Sequence, residues 1–223
     1  MTLPAPAWNR LWRGVTLRVF DIGPGCGLTV AAAAALLSAA ERERAARFHF
    51  AEDAHRWKRA RALLRLTLSA ATGIAPEALR FRTGAFGKPE LEVDSTPPVH
   101  FNLSHSGDWA AIAVAAQPVG VDIEAAKPLP AAELAAFAFR PEEHAAILSH
   151  AAPDHCFLEY WTAKEAVMKC TGQGLTLPPD HILFSAGTDG ENLTAKIDGS
   201  DTAFQVLRTF HPETWVLAAA LRA

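Results

Sequence analysis

Cysteine is scarce in this 223-residue chain, and the three that occur are unevenly spaced. Cys26, Cys156 and Cys170 form no C-x-x-C pair, so the sequence predicts neither a disulfide framework nor a zinc site. Because so few, irregularly placed thiols fit a reducing compartment, we expect a cytoplasmic protein.

The chain also has no strong excess of positive or negative charge. The chain has 21 lysines and arginines against 24 aspartates and glutamates, which gives a formal net charge of -3. This balance predicts neither nucleic acid nor an anionic membrane as a partner.

The alanine-rich apolar stretch at residues 28–40 is too short to cross a bilayer, which takes about 20 apolar residues. Four charged residues follow it at once, at positions 41–44, so we expect no membrane segment. Half of the residues are hydrophobic, as in a soluble globular chain long enough for one large domain or two small ones.

Two acids interrupt the apolar run at residues 119–124. Side chains alternate faces along a strand, so Asp122 and Glu124 point one way while Val121 and Ile123 point the other. Neighbouring carboxylates that lose hydration repel each other unless a cation compensates them. The alternative for this motif alone is a solvated sheet edge.

A helical pattern covers residues 157–169. Trp161, Glu165 and Lys169 are successive i,i+4 neighbours and share one face, whereas Lys164 lies about 100° round the helix. An exposed salt bridge between Glu165 and Lys169 is the simplest alternative use of that face.

Glu165 could complete an oxygen-rich ligand set with Asp122 and Glu124. Such a set suits magnesium or manganese rather than zinc. Since magnesium usually keeps waters and takes substrate phosphates, the set predicts a phosphate-bearing ligand.

Two helices rich in basic residues are predicted in the first part of the chain. Ser38 is the expected N-cap of a helix over residues 39–50, and Gly73 should end a longer helix over residues 52–72. Their cations either hold phosphates or are solvated charge. The basic residues are Arg42, Arg44, Arg47, His55, Arg56, Lys58, Arg59 and Arg61.

A weak internal repeat relates the two parts of the chain. His105 and Trp109 recur as His211 and Trp215, and the other matches, residues 79–81 with 182–184 and Trp57 with Trp161, lie 103 or 104 positions apart. A nearly constant offset predicts an α+β fold of two similar halves, with the ligand at their seam.

Several shorter segments also predict strands, turns or a helix start. Residues 79–81 alternate as a short strand, and Pro141 followed by two acids marks a helix start. The polar segment 102–107 is either a turn or a set of donors for an anion, and residues 110–116 read as a buried strand. Turn residues in the last part are Gly187, Gly190 and Gly199.

Three segments together resemble the signature blocks of the 4'-phosphopantetheinyl transferase superfamily, in order and spacing. They are Phe-Asn-Leu-Ser-His-Ser at 101–106, Gly-Val-Asp-Ile-Glu at 120–124, and Trp-Thr-Ala-Lys-Glu at 161–165 with Lys169. The segment at 47–56 and the chain length resemble the Sfp-type class, which activates carrier proteins of peptide and polyketide synthetases.

The resemblance implies a pseudo-twofold α+β monomer with coenzyme A between its halves. Residues 1–116 would supply coenzyme A-binding cations, and residues 117–223 the magnesium site and the catalytic helix. Such enzymes move phosphopantetheine from coenzyme A to a serine of an apo acyl or peptidyl carrier protein and release 3',5'-ADP.

Site residues follow from the same resemblance. The implied magnesium ligands are Asp122, Glu124 and Glu165. The implied coenzyme A contacts are Arg44 and Arg56 at the 3'-phosphate, Lys88 near the nucleotide, Ser104 and His105 at the phosphates, and Lys164 and Lys169 from the third block. Some relatives have a basic residue near the position of Glu41, so the acid here calls selectivity for the 3'-phosphate into question.

The chemistry of the reaction agrees with these roles. A serine hydroxyl is a poor nucleophile and a diphosphate is highly charged, so the site must neutralise charge and remove a proton. We hypothesise that Glu165, or a metal-bound water that it orients, accepts the proton and that Lys169 stabilises the developing negative charge.

Carrier proteins are generally acidic, and Lys127, Leu129, Phe137 and Phe139 form a candidate docking patch, although both phenylalanines could instead belong to the core. Two other kinds of protein remain as alternatives. A non-catalytic coenzyme A or nucleotide-binding module would bind ligand without turnover, and a structural protein with surface salt bridges would show no metal-dependent binding.

Overall fold

A computed structural model of the protein describes residues 2–93, 97–186 and 191–223. The turns predicted at Gly187 and Gly190 lie outside these residues. Within these three ranges, no helix has the length and apolarity needed to cross a membrane.

The first sheet is antiparallel and belongs to the first half of the chain. Its four strands are ordered β1-β2-β6-β5. The strands of this half are β1 (Trp8–Trp12), β2 (Val15–Asp21), β3 (Phe81–Thr83), β4 (Pro89–Leu91), β5 (His100–Ser106) and β6 (Trp109–Ala115). Strands β3 and β4 pair only with each other among the described residues and form a separate small hairpin.

The second sheet is also antiparallel and has the order β7-β11-β10-β9-β8. Its strands are β7 (Val119–Ala125), β8 (Ile182–Ala186), β9 (Asn192–Ile197), β10 (Ala203–His211) and β11 (Trp215–Arg222). Because β5 and β7 are both edge strands, the two sheets can meet along these edges.

The helices are α1 (Val30–Ala35), α2 (Ala39–Ala46), α3 (Ala51–Thr72), α4 (Ala131–Ala138), α5 (Pro141–Ser149) and α6 (Pro153–Thr171). Ser38 caps α2 as predicted, and its capping box with Glu41 satisfies two backbone donors. Gly73 and Gly172 end α3 and α6 in the left-handed conformation that glycine adopts without strain.

Two of the predicted boundaries were wrong. The helix expected over residues 39–50 ends at Ala46, and the chain turns so that the Phe48 ring comes to 6.0 Å from that of Trp57. The strand expected at residues 79–81 begins at Phe81. Leu79 is buried instead, where its carbonyl accepts a hydrogen bond from Arg65.

Strand alternation stacks the molecule in four layers. Val15, Leu17 and Val19 of β2 face the second sheet, while Phe20 packs in a core with Leu64 of α3. The second sheet repeats this arrangement with α6 on its outer face. The order of layers is α3, first sheet, second sheet, α6, which agrees with the predicted α+β fold of two sheet-containing halves.

Candidate active site

The edges of the two sheets are joined by side-chain hydrogen bonds. Ser104 Oγ donates to Asp122 Oδ1 over 2.7 Å, and Ser106 Oγ donates to Glu124 Oε2 over 2.6 Å. Ser104 and Ser106 are two residues apart on β5, as Asp122 and Glu124 are on β7, so strand alternation places each pair on one face of its strand. The segment read as a turn or donor set is therefore strand β5.

The backbone of β7 is anchored at the same seam. Asn102 Oδ1 accepts a hydrogen bond from the Val121 amide over 2.8 Å. On the face that carries Asp122 and Glu124, β7 approaches α6 at Gly120, where an added Cβ would lie 1.9 Å from the Ala166 carbonyl oxygen and 2.5 Å from the Cys170 nitrogen. Only glycine allows strand and helix to come this close.

Helix α6 brings Glu165 and Lys169 to the carboxylates of β7. Lys169 Nζ lies 2.6 Å from Asp122 Oδ1 and 3.6 Å from Glu165 Oε2. It also donates to Ser104 Oγ over 3.2 Å. The ammonium therefore touches groups from both sheets and from its own helix, and the exposed Glu165–Lys169 salt bridge is ruled out as the sole role of this pair.

The three carboxylates influence one another through their charges. Burial raises the pKa of Glu124, the Ser106 hydroxyl opposes that rise, and Asp122 adds to it. Burial also raises the pKa of Glu165; Lys169 opposes this, while Asp122 and Glu124 reinforce it. Such a cluster favours a cation over further negative charge.

The donor set fits a hard divalent cation by its chemistry. Asp122 is buried, and its Oδ2 has no hydrogen-bond partner in the described part of the chain, although buried carboxylate oxygens are ordinarily satisfied. All three candidate ligands are carboxylates, as magnesium prefers. The described residues nevertheless contain no group of three His, Cys, Asp or Glu side chains already arranged around a metal position.

A pocket of about 760 Å³ opens beside His105, between α2, α3, β3 and β5. Its basic lining residues are Arg44, Arg61, Arg65, Arg80, Arg82 and His105, and its acidic ones are Glu41 and Glu92. His105 follows Ser104 on β5, so the basic pocket adjoins the carboxylate seam.

Arg44 and Arg56, which the resemblance pairs at the 3'-phosphate, are placed differently. Arg44 lines the basic pocket, and its guanidinium lies 5.5 Å from the Trp57 ring centroid. Arg56 does not line that pocket; its Nε donates to Asp108 Oδ1 over 2.7 Å, and NH1 pairs with Asp53. Asp108 raises the pKa of Arg56, as expected of an ion-paired guanidinium.

Lys88 joins the two halves of the chain. Its Nζ donates to the Val119 carbonyl over 2.8 Å and to the Lys169 carbonyl over 2.6 Å. Lys88 also lines a second pocket, of about 490 Å³, that reaches Cys170 and Gly172. Burial lowers the pKa of Lys88, and each carbonyl contact compensates part of the lost hydration.

Lys164 does not reach the seam, and the expectation that it contacts coenzyme A needs correction. Its side chain is fully buried, and its ammonium donates to Glu143 Oε2 over 2.7 Å, to the Pro179 carbonyl over 2.8 Å and to the Ile182 carbonyl over 3.0 Å. Three bonds use all three N–H groups of a lysine, so none is left for a ligand. The 100° offset from Glu165 directs it into α5 and β8.

Comparison with known proteins fits this geometry. Residues 28–117 match a family described as 4'-phosphopantetheinyl transferase, N-terminal, and residues 118–220 match the 4'-phosphopantetheinyl transferase superfamily. A 4'-phosphopantetheinyl transferase of Bacillus subtilis is 36% identical over 179 residues, which cover 79% of this chain and 77% of that protein. The chain belongs to the 4'-phosphopantetheinyl transferase superfamily.

Two further 4'-phosphopantetheinyl transferases are similar in sequence to this chain. The Bacillus subtilis 4'-phosphopantetheinyl transferase Sfp is 35% identical over 157 residues, covering 70% of this chain and 69% of Sfp. The 4'-phosphopantetheinyl transferase HetI of a Nostoc species is 38% identical over 149 residues, covering 64% and 62% respectively. The family, the Sfp-type class and the transferase activity predicted from the sequence are confirmed.

Sequence reasoning missed several residues of this transferase site. Asn102 and Ser106 flank Ser104 at the two-residue spacing of a strand, a signal that could have placed all three on the seam. Arg61 stood among the basic residues of its helix with no feature to single it out. Its contact with Glu41 spans 20 positions and could not be read from helical spacing.

Proposed function

We propose that this transferase moves 4'-phosphopantetheine from coenzyme A to a serine hydroxyl of an apo acyl or peptidyl carrier protein and releases 3',5'-ADP. One observation carries the proposal. Asp122, Glu124, Glu165 and Lys169 converge at the seam of two sheets, beside an arginine-lined pocket. A diphosphate could lie at the seam while the nucleotide end occupies the pocket.

In this proposal Asp122, Glu124 and Glu165 hold magnesium, with manganese as a possible substitute. Two observations support this assignment: Asp122 Oδ2 has no hydrogen-bond partner among the described residues, and the carboxylates repel one another. A bound divalent cation would neutralise diphosphate charge and make ADP a better leaving group.

The protein's own groups then have distinct roles. Glu165, whose carboxylate lies 3.6 Å from the Lys169 ammonium at the seam, accepts the proton of the carrier serine as general base. Lys169 donates to the oxygens on which negative charge develops. Ser104 and His105 donate to the phosphates, Arg44 contacts the nucleotide end, and Lys88 orders the junction between β7 and α6.

The carrier protein would dock next to the seam, on the exposed part of the segment after β7. Lys127 and Phe137 are both exposed, and Phe137 is 92% exposed, which is unusual for phenylalanine. Phe139 is buried, with its ring 5.2 Å from that of Phe157, so it leaves the candidate docking patch. An acidic carrier surface would complement a patch of this composition.

We also propose that the protein is a cytoplasmic monomer whose two halves comprise residues 1–116 and 117–223. Strand β6 ends at Ala115 and β7 begins at Val119, so one chain supplies both sides of the seam.

A variant of the proposed base tests the function. The wild-type enzyme should release 3',5'-ADP in equal amount to modified carrier, and Glu165→Gln should lower kcat by about 100-fold or more, since general-base catalysis contributes roughly 10²–10⁴-fold. Nearly full turnover of Glu165→Gln would exclude Glu165 as the base. Coenzyme A binding without any release by the wild type would favour a binding module.

A further inference from the structure

Glu41, an acid where the resemblance implies a basic residue, is a buried carboxylate that contacts two arginines. It accepts from the Ser38 amide over 2.8 Å and from Arg65 Nε over 2.8 Å, and its other oxygen accepts from Arg61 Nε. These bonds outweigh the effect of burial and lower the pKa of Glu41. The carboxylate is thus ionised and fully occupied inside the protein.

The two arginines differ in how many of their guanidinium N–H groups already have a hydrogen-bond acceptor among the described residues. Arg65 is buried, and its guanidinium also donates to the carbonyls of Pro76 and Leu79. Arg61 donates only through Nε; within the described residues, neither of its terminal nitrogens has a hydrogen-bond partner. Arg61 therefore offers a free pair of N–H groups, while Arg65 has a structural role.

Arg61 is held in one orientation toward the basic pocket. Its guanidinium stacks on Phe81, 4.2 Å from the ring centroid, and its side chain is 14% exposed. A planar guanidinium fixed at Nε and on one face presents its outer edge for bidentate binding of an oxyanion. Preorganisation of this kind lowers the entropy cost of binding.

The surroundings of Arg61 carry excess positive charge. Burial lowers its pKa, Glu41 opposes that shift, and the nearby guanidiniums of Arg65 and Arg44 lower it further. Arg44 lines the same pocket and makes no side-chain hydrogen bond to the described residues. An anion between Arg44 and Arg61 would relieve this repulsion.

We propose that Arg61, oriented by Glu41, binds the 3'-phosphate of coenzyme A together with Arg44 and makes the enzyme selective for coenzyme A over its 3'-dephosphorylated form. The inference rests on the proposed function. It assigns to Arg61 the contact that the resemblance gave to Arg56, whose guanidinium is paired with Asp108 outside the pocket. The acid at position 41 supports phosphate recognition here because it orients Arg61.

Calorimetric titration with 3',5'-ADP and with 5'-ADP separates this contact from the rest of the site. Arg61→Ala should weaken 3',5'-ADP binding by about 10- to 100-fold, as expected for loss of charge-assisted hydrogen bonds, and leave 5'-ADP binding nearly unchanged. Arg61→Lys keeps the charge but loses the planar fork, so its affinity should fall between. Arg47→Ala is the matched control, since Arg47 is exposed on the neighbouring turn and, among the described residues, its side chain pairs only with Glu43.

The outcomes separate the two proposals. If the wild type binds 3',5'-ADP more tightly than 5'-ADP and Arg61→Ala and Arg61→Lys keep that preference, Arg61 is not the contact, while the transferase function stands. Loss of the preference in Arg56→Ala instead would return the role to Arg56. If the wild type binds neither nucleotide, both proposals fail.

Discussion

At the scale of single residues, the site depends on carboxylates that are partly buried and kept close together. Asp122 accepts hydrogen bonds from Ser104 and Lys169, and Glu124 accepts one from Ser106. These partners compensate only part of the lost hydration, since burial still raises the pKa of Glu124 and of Glu165. Without a cation, the carboxylates should therefore destabilise the fold at neutral pH.

Replacing Glu124 by glutamine tests this consequence. A carboxyl whose pKa is higher in the folded than in the unfolded state contributes stability below its unfolded pKa and loses it as pH rises through the folded pKa. In EDTA, Glu124→Gln should therefore gain thermal stability relative to wild type between pH 5 and pH 8. Melting curves that shift in parallel over this range would contradict the prediction.

Lys164→Met tests whether the buried lysine is structural. Removing one partner of a buried ion pair leaves the other charge uncompensated, so the free energy of unfolding should fall by about 3–5 kcal/mol. Chemical denaturation measures that change. At a temperature where the variant is folded, its KM for coenzyme A should be close to wild type; a large rise in KM with intact stability would restore Lys164 to the ligand site.

At the scale of secondary structure elements, the contact between β7 and α6 decides whether the site exists. Asp122 and Glu124 lie on β7, Glu165 and Lys169 lie on α6, and Gly120 sets the distance between the two elements. A small change in that distance would separate the carboxylates even if each element stayed intact.

Gly120→Ala should widen this contact. The added methyl group would overlap backbone atoms of α6, and overpacking of this kind costs about 1–3 kcal/mol or more. We expect a lower melting temperature together with a loss of transferase activity. Gly25→Ala is the control, because a Cβ there meets no atom of the described residues within 4 Å. Equal effects of the two substitutions would argue against the close approach as the cause.

The elements that sequence could predict are those with local signals. Alternation identified β7, i,i+4 spacing identified the Glu165–Lys169 face, and Ser38 and Gly73 marked helix ends correctly. Contacts between distant segments left no such signal. The Glu41–Arg61 pair and the burial of Lys164 depend on how α2 packs on α3 and α5 on α6, which periodicity does not encode.

At the scale of the whole molecule, the two sheets pack face to face while their edge strands β5 and β7 form the seam. Alternate residues of β2 and β6 meet those of β7 and β11 in a shared core. That core holds the first-half pocket and the second-half carboxylates in a fixed relation. The internal repeat predicted a seam site, but which strands would form it depended on sheet order.

Phe137→Asp tests where a partner meets this molecule. Phe137 is 92% exposed, so the substitution should leave the melting temperature nearly unchanged. It should raise KM for the carrier protein by about 10-fold or more, as for loss of an aromatic anchor that also adds repulsion toward an acidic partner. KM for coenzyme A should not change; an unaltered carrier KM would remove Phe137 from the interface.

The central claim is that the seam transfers phosphopantetheine with the help of a divalent cation. Intact mass spectrometry of an apo carrier protein, incubated with this enzyme, coenzyme A and magnesium, tests it most directly. The account predicts a mass gain of one phosphopantetheine group that EDTA abolishes and excess magnesium restores. A gain that persists in EDTA would contradict the role of the carboxylates, and no gain on any of several carriers would contradict the transferase function.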